Sequence, residues 1–513
     1  MRRPWLALRL ARAAEVNSED PDLLPALDAA LGVVRVPSLL RRRGVILGNI
    51  GELSRAWSDW QELTRRGNAR AASRARIIAG RLRETDPSWL PTTDDRREEL
   101  APSSRRRVLH IVKQAAPERW SGFTIRTLNN VRAQRAAGLE PFVATDVAAA
   151  TDGGVPAVVE YDGFVHHRIV RPAGYDRRTT PVDVQLTDAF EALVPIVREV
   201  RPAILHAHSG HRGGEYALVA LALRERLGVP VVYEVRGMFE SGWTSDRRFA
   251  EKSELYARRI KQETRLACDA DGVVAISEAL AQELQSRGVP GTRITVVPNG
   301  IDPAALAPQQ RDPRLRSELG LDGRFVVGYL GNLDHWREGI DVLIDALAVV
   351  RGRGRRDIAV LVVGDGSRRA DLEERARRLD LGDDCRFTGH VPHLDVGQYY
   401  AQMDVFASPR VDERAARYIT PLKPYEAMAL GIPVLVSDLP ALREIVDPPR
   451  RGVVAPPGDA PGLATAIEGL VDDGDLRRRL GEAGRQWVLA ERTWSSNGPR
   501  YRAAYEKILG PID

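Results

Sequence analysis

The chain has 513 residues, too many for one hydrophobic core, and this predicts two or three domains. Its composition, 43% hydrophobic and 28% charged, excludes general disorder, and a net charge of +5 is too small at this length to argue for nucleic-acid binding. Two cysteines, Cys268 and Cys385, stand far apart with no CxxC partner, which excludes a cysteine metal cluster or a disulfide framework and fits a reducing cytoplasm.

Basic charge is carried almost wholly by arginine, the residue usage of a GC-rich bacterial genome; the lysines are Lys113, Lys252, Lys261, Lys423 and Lys507. No apolar run approaches the ~20 residues that span a bilayer. The N-terminus has arginines but no clean apolar stretch and cleavage site, so a signal peptide is not expected.

In chain order, residues 1–104 read as a helical extension ending in a linker, Pro91 to Arg107. Ile50, Leu53, Trp57 and Trp60 recur at spacings of three and four, and Ala72, Ala75, Ile78 and Leu82 continue the pattern in an arginine-rich second helix. Two uses fit: a cap on the main body, or a peripheral module meeting anionic lipid at the inner membrane face.

From Val108 short β-branched runs alternate with helical segments. The runs are Val108–Val112, Phe142–Thr145, Ile204–His206, Val231–Tyr233, Val273–Ile276 and Ile294–Val297. After a turn-rich segment at 297–302 the alternation restarts with Phe325–Tyr329, Ala359–Val363, Arg386–Thr388, Val405–Ser408, Val434–Ser437 and Gly452–Val454. Such alternation predicts two consecutive α/β units with mostly parallel sheets, and a cleft between them at the carboxyl ends of strands.

The richest stretch is Tyr418 to Asp438, a polar loop carrying Lys423 and Glu426 that opens a short helix stopped by Gly431 and Pro433. A loop entering a helix N-terminus suits an anion, Lys423 adds a point charge for phosphate, and Glu426 can accept from vicinal hydroxyls. Phosphate plus hydroxyls describes a nucleotide ribose diphosphate. A second cradle follows Phe325–Tyr329, where Gly331 turns the chain and Arg337 can reach diphosphate oxygens. The turn at Thr388–Pro392 is a place to read a base through backbone. In the first unit, Gly122 permits close approach to a ligand, and His206 and His208 share one side of their strand, with Glu234 and Arg236 also expected at the cleft. A metal pair at these histidines lacks an acidic third ligand at suitable sequence spacing.

Several ordered motifs resemble family 4 retaining glycosyltransferases over residues 105 to 513. They are Ser121-Gly122, His206-Ala207-His208-Ser209, Ala275-Ile276-Ser277-Glu278, Val297-Pro298-Asn299-Gly300-Ile301-Asp302, Val363-Gly364-Asp365-Gly366, Phe387-Thr388-Gly389-His390-Val391 and Thr420-Pro421-Leu422-Lys423-Pro424-Tyr425-Glu426. The resemblance implies a GT-B fold: an acceptor domain at 105–300, a donor domain at 301–490, and a C-terminal helix at 491–513 crossing back. It implies a nucleotide-sugar donor, of uridine type, as substrate rather than cofactor, a glycan or lipid-linked acceptor of the bacterial cell envelope, and no metal. By position it implies that Glu426 binds ribose and that Lys423, with Thr420, Pro421 and Leu422, contacts phosphate and sugar. Val391 corresponds to the base contact, His208 to the residue near the anomeric carbon, and Gly122 and Gly331 to the loops approaching the diphosphate. His208, Lys423 and Arg337 are the implied catalytic set. Two departures stand out: Tyr418 replaces a second glutamate, for which Glu413 is the candidate substitute, and Asn332 and Glu338 fall where Arg and Lys are usual. A 2-epimerase on the same fold, or a degenerate scaffold subunit, are the alternatives.

Overall fold

A computed structural model describes residues 20–92, 97–147, 157–171, 175–210, 212–244, 246–392 and 395–513. The N-terminal stretch read for a leader, and residues 93–96 of the linker, lie outside the described residues. The apolar runs assemble into two sheets. β1 (Arg107–Val112), β2 (Glu140–Val147), β3 (Val158–Tyr161), β4 (Phe164–Val170), β5 (Ile204–His208), β6 (Val231–Val235), β7 (Gly272–Ala275) and β8 (Ile294–Val296) form the first, in the order β3-β4-β2-β1-β5-β6-β7-β8. β9 (Phe325–Leu330), β10 (Ile358–Val363), β11 (Cys385–Gly389), β12 (Val405–Ser408), β13 (Val434–Ser437) and β14 (Gly452–Ala455) form the second, in the order β11-β10-β9-β12-β13-β14.

Every paired neighbour is parallel except β3 and β4. Parallel strands are covered on both faces by crossover helices, so they must be apolar throughout. β10, Ile-Ala-Val-Leu-Val-Val, is buried along its whole length, and the helix Glu215–Leu227, apolar around most of its circumference, is interior as well. In both sheets the order reverses beside the first strand, between β1 and β5 and between β9 and β12. Ligands of open parallel sheets bind outside strand ends at such switch points, so the loops after β1, β5, β9 and β12 are the walls of the site.

Among the elements the sequence reading did not name are the β3–β4 hairpin and the helix Val182–Val200. The hairpin had a signal: its turn is Asp162-Gly163, with φ of 54° and 72°, the backbone that a two-residue Asp-Gly turn supplies.

The N-terminal helices pack on one another around Leu40, Ile46, Leu47, Leu53 and Leu63. Ile50 closes the helix Pro37–Asn49 rather than joining the next one, and Ala71, not Ala72, begins the buried stripe of Ala69–Glu84. Trp60 is 6% exposed and lies against Gly44, where a Cβ would come within 3.0 Å of the indole. Trp57 is half-buried in the same cluster, so both indoles serve the unit's interior rather than an outer surface. The unit docks on the first domain: Arg76 grips the buried Asp183 with two bonds of 2.9 Å, and Ser54 donates through Oγ and N–H to Glu254 at 2.6 and 2.7 Å. Among the described residues no helix is long and apolar enough to cross a membrane.

The C-terminal helix Asn497–Leu509 packs against the first sheet, burying Tyr501 and Tyr505 with Val108, Ile204 and Val232. The two interdomain crossings run side by side, Ile301 N–H to Arg492 O at 2.8 Å and Trp494 N–H to Ile301 O at 3.1 Å. Gly300 is needed there, because a Cβ would stand 2.8 Å from Trp494 N.

One buried carboxyl gives the first domain a pH dependence. Glu263 accepts from Gly214 N–H at 2.6 Å and from the Tyr233 hydroxyl at 2.7 Å, yet burial, aided by Glu240, pushes it up to about 7. The folded chain then holds a proton that the unfolded chain releases near pH 4.5. Its stabilising contribution is complete below that value and is lost as pH rises through 7, about 3 kcal/mol in all. Against the wild type, Glu263→Gln, which mimics the protonated form, should have the higher denaturant midpoint at pH 7.5 and lose that advantage toward pH 5, a difference in which the opposite contribution of the buried His110, His206 and His208 cancels. A wild-type slope in the variant would show that another group carries the effect.

Candidate functional site

Thr420, Pro421 and Leu422 lead into the helix Lys423–Ala429. Lys423 Nζ lies 2.9 and 3.1 Å from the two carboxylate oxygens of Glu426, and the Tyr400 hydroxyl donates to Glu426 Oε2 at 3.1 Å. The i,i+3 spacing on one helical turn makes this pairing, so each group holds the other in place in the absence of ligand. The helix has only 7 residues and Pro424 in its first turn, so its dipole is weak and Lys423 supplies the charge. Thr420 is buried, and its carbonyl accepts from Asn299 Nδ2 at 2.9 Å, tying the loop to the interdomain crossing. Leu422 faces the first domain, where a Cβ on Gly122 would stand 3.6 Å from its Cδ1. The structure thus brings Gly122 to the loop at Thr420–Leu422.

Beyond β9 the turns are packed backbone to backbone. Gly364 has φ 139°, and a Cβ there would lie 1.9 Å from Gly331 O, so only glycine allows the two turns to stack. Gly364 N–H donates to Gly389 O at 3.1 Å, which brings the turn leading to Val391 alongside Gly331. His335 Nδ1 accepts from Arg337 N–H at 3.1 Å and caps the short turn Trp336–Glu338. Burial, with Arg337 adding, pushes that imidazole down to about 4, so it is neutral and keeps its lone pair for the cap. Glu338, which stands where a basic residue is usual, is taken up by arginines. It sits between Arg337 Nε at 3.3 Å and a two-pronged bond from Arg410 at 3.0 and 3.1 Å, and Arg410 Nη1 donates to Ile419 O at 3.0 Å. The Glu338–Arg410 pair therefore fixes the chain just before Thr420.

Tyr418 turns toward the first domain, where its carbonyl accepts from Ser277 Oγ at 2.5 Å and its hydroxyl meets Glu283. Glu413 caps the helix Arg414–Tyr418, accepting from Ala416 N–H at 2.9 Å. Burial raises its proton affinity and Arg337 opposes this, so Glu413 stands near Arg337 with one oxygen engaged in the cap.

In the first domain a cavity of about 440 Å³ is lined by Lys113, Ser121, Phe123, His208 and Arg236. His208 reaches it as a wall: its Nε2 shares a 2.8 Å hydrogen bond with His110 Nδ1, and its Nδ1 is buried. The rings of His206 and His208 stack at 4.6 Å, as the period of the strand requires. A third nitrogen ligand, His110, and the carboxylate Glu234 do stand beside them, brought by folding and not by sequence spacing. Four of the six ring nitrogens are occupied in hydrogen bonds, His110 Nε2 with Gln134 at 2.9 Å, His206 Nδ1 with the Tyr505 hydroxyl at 2.6 Å, and His110 Nδ1 with His208 Nε2, while His206 Nε2 and His208 Nδ1 have no hydrogen-bond partner among the described residues. Two ring nitrogens 2.8 Å apart share a proton, which is incompatible with both offering lone pairs to one ion. Burial lowers all three from the ordinary imidazole value, His110 and His208 well below it.

Glu234 is not at the cleft but fully buried beneath it. It accepts from Arg126 Nε at 2.9 Å, Arg236 Nε at 2.5 Å and the Tyr501 hydroxyl at 2.7 Å. Arg126 in turn donates to the carbonyls of Val297 at 2.7 Å and Pro298 at 2.9 Å. Sequence reasoning missed Arg126, Arg410, Tyr400 and the role of Asn299. Asn299 had a signal in its turn motif; the others are joined to the site only through distant chain contacts.

Two facing α/β domains, with a cleft at both switch points and a cationic loop on the second, define the GT-B architecture. A family model described as Glycosyltransferase Family 4 matches residues 120–305, and one described as Glycosyl transferases group 1 matches residues 324–473. A GDP-mannose-dependent alpha-mannosyltransferase of Mycolicibacterium smegmatis is 29% identical over 366 residues, 70% of this chain and 86% of that relative. Among solved structures, sucrose-phosphate synthase of Thermosynechococcus elongatus aligns with a TM-score of 0.64 at 23% identity, over 79% of this chain and 99% of that one. An Anabaena protein in complex with UDP-glucose aligns with a TM-score of 0.58 at 19% identity, over 79% and 100% of the two chains. The chain belongs to glycosyltransferase family 4. Residues 1–119 lie outside both matched stretches.

Proposed function

We propose that the protein transfers a hexose from a nucleoside diphosphate to a hydroxyl of a glycan or lipid-linked acceptor, with retention at the anomeric carbon. The observation that carries this is the Lys423–Glu426 pair at the strand-end cleft, a cation and a carboxylate one helical turn apart. On donor entry the pair separates in function: Glu426 accepts from ribose hydroxyls, and Lys423 turns to the phosphates with Arg337. Thr420, Pro421 and Leu422 line the sugar side, Gly331 and Gly122 allow the diphosphate close to backbone, and Val391 borders the base.

Retention by double displacement uses two carboxyls about 5–5.5 Å apart, one a nucleophile. Here Glu413 is held in a helix cap and Glu426 by Lys423 and Tyr400, which leaves neither placed as a nucleophile. A front-face route fits better, in which a departing phosphate oxygen accepts the acceptor's proton while Lys423 and Arg337 stabilise the growing negative charge. His208 shapes the sugar pocket. The resemblance points to a uridine donor, whereas the mannosyltransferase named above is GDP-mannose-dependent. A panel of UDP-, GDP- and ADP-hexoses should release nucleoside diphosphate with one base preferred, and proton NMR should record the freed sugar first in the donor's anomeric form. Release from no donor would reject the reading.

A further inference from the structure

A second cavity, of about 390 Å³, adjoins the one at His208 and shares Lys113 and Arg177 with it as common walls. The donor account makes no use of it. Its far wall is Arg81, from the N-terminal helix Ala69–Glu84, and its floor holds two acids, Asp146 and Glu215, against six cations. The acids are already engaged. Asp146 takes two bonds from Arg171 at 3.0 and 2.7 Å, an ion pair from Arg177 at 2.7 Å and the Tyr216 hydroxyl at 2.7 Å. Glu215 stands 3.6 Å from Arg212. The side chains of Arg81, Lys113 and Arg178 make no hydrogen bond or ion pair among the described residues. Lys113 is pushed down to about 8, by burial first; Glu215 opposes this, and Arg177, Arg212 and Arg119 add to it. Six cations over two carboxylates leave an excess of positive charge, and a multivalent anion with several acceptor oxygens relieves their repulsion.

We propose that this cavity binds a phosphate or pyrophosphate group carried by the acceptor, with Arg81, Lys113 and Arg178 as its ligands. Assigning the group to the acceptor rests on the transferase reading; the anion site itself does not. An acceptor whose sugar end lies at the His208 cavity has its charged end here, past the shared Lys113 and Arg177. Arg81 lies outside both matched family stretches, so the added N-terminal helices build part of this chain's acceptor site.

Titration calorimetry with inorganic pyrophosphate tests this on the full chain, in a Lys423→Ala background that silences the donor loop. Saturable binding is expected to persist there, and to weaken at least tenfold when Arg81→Ala or Arg178→Ala is added. Arg178 is an exposed loop residue, so its removal leaves the fold intact, which a thermal melt checks. Absence of binding in the Lys423→Ala background, or affinity unchanged in both added variants, overturns the proposal. Glucose 1-phosphate and a short prenyl phosphate in detergent micelles separate the two sources. Tighter Arg81-dependent binding of the first assigns a soluble acceptor, and of the second a lipid-linked one; binding of neither also overturns the proposal. Failure of the donor reading registers separately, as loss of nucleoside diphosphate binding in the wild-type chain.

Discussion

Lys423→Ala is expected to lower kcat about 10²–10³-fold, equivalent to about 3–4 kcal/mol, the effect of removing one preorganised charge at a developing oxyanion. No other lysine lies in the donor domain, and the helix behind Lys423 is too short to replace its charge. The folded state should lose under about 1 kcal/mol, because the pair with Glu426 is partly open to solvent. Lys423→Arg is not expected to restore the rate, since a planar fork does not occupy the place of a point charge. Steady-state release of nucleoside diphosphate reads the first effect and a urea melt the second. Wild-type turnover in Lys423→Ala would remove the residue from the chemistry.

The largest effect on stability belongs to Glu234→Gln, a substitution that keeps size and removes charge. Burial alone would raise this carboxyl, but Arg236 and Arg126 hold it well below the usual carboxylate range. Its contribution is therefore present above about pH 4.5 and is lost as the pH falls through the depressed value. Neutralising it leaves Arg126 and Arg236 buried without their counter-charge, and breaking such a buried pair costs about 3–5 kcal/mol. The damage extends to both crossings, because Arg126 holds the carbonyls of Val297 and Pro298 and Tyr501 sits on the returning helix. Equilibrium urea unfolding at pH 7 should show the loss. A change under about 1 kcal/mol would mean that the hub contributes little to holding the crossings.

The α/β alternation and the Lys423–Glu426 pairing were legible in the sequence because both are written locally. β-branched runs such as Ile358–Val363 can only be buried strands, and Lys423 and Glu426 are neighbours by helical spacing. The Asp162-Gly163 hairpin was equally local and was passed over. Glu234 is a different case. The alternation of β6 gives its side correctly, but whether that side meets solvent depends on Arg126 and Tyr501, which come from 108 and 267 residues away. Trp57 and Trp60 read as candidates for a lipid surface because their stripe is visible and its covering helices are not. Glu338 shows the same limit: the motif marks it only as a departure where a basic residue is usual, and its partner Arg410 makes it a brace for the loop before Thr420.

Titration of the purified chain with UDP and with GDP tests the central claim most directly. A 1:1 exothermic isotherm for one of them, lost in Lys423→Ala and weakened in Glu426→Ala, is the predicted result. No heat with either nucleotide, or an isotherm unchanged in both variants, would contradict a diphosphate held at this loop.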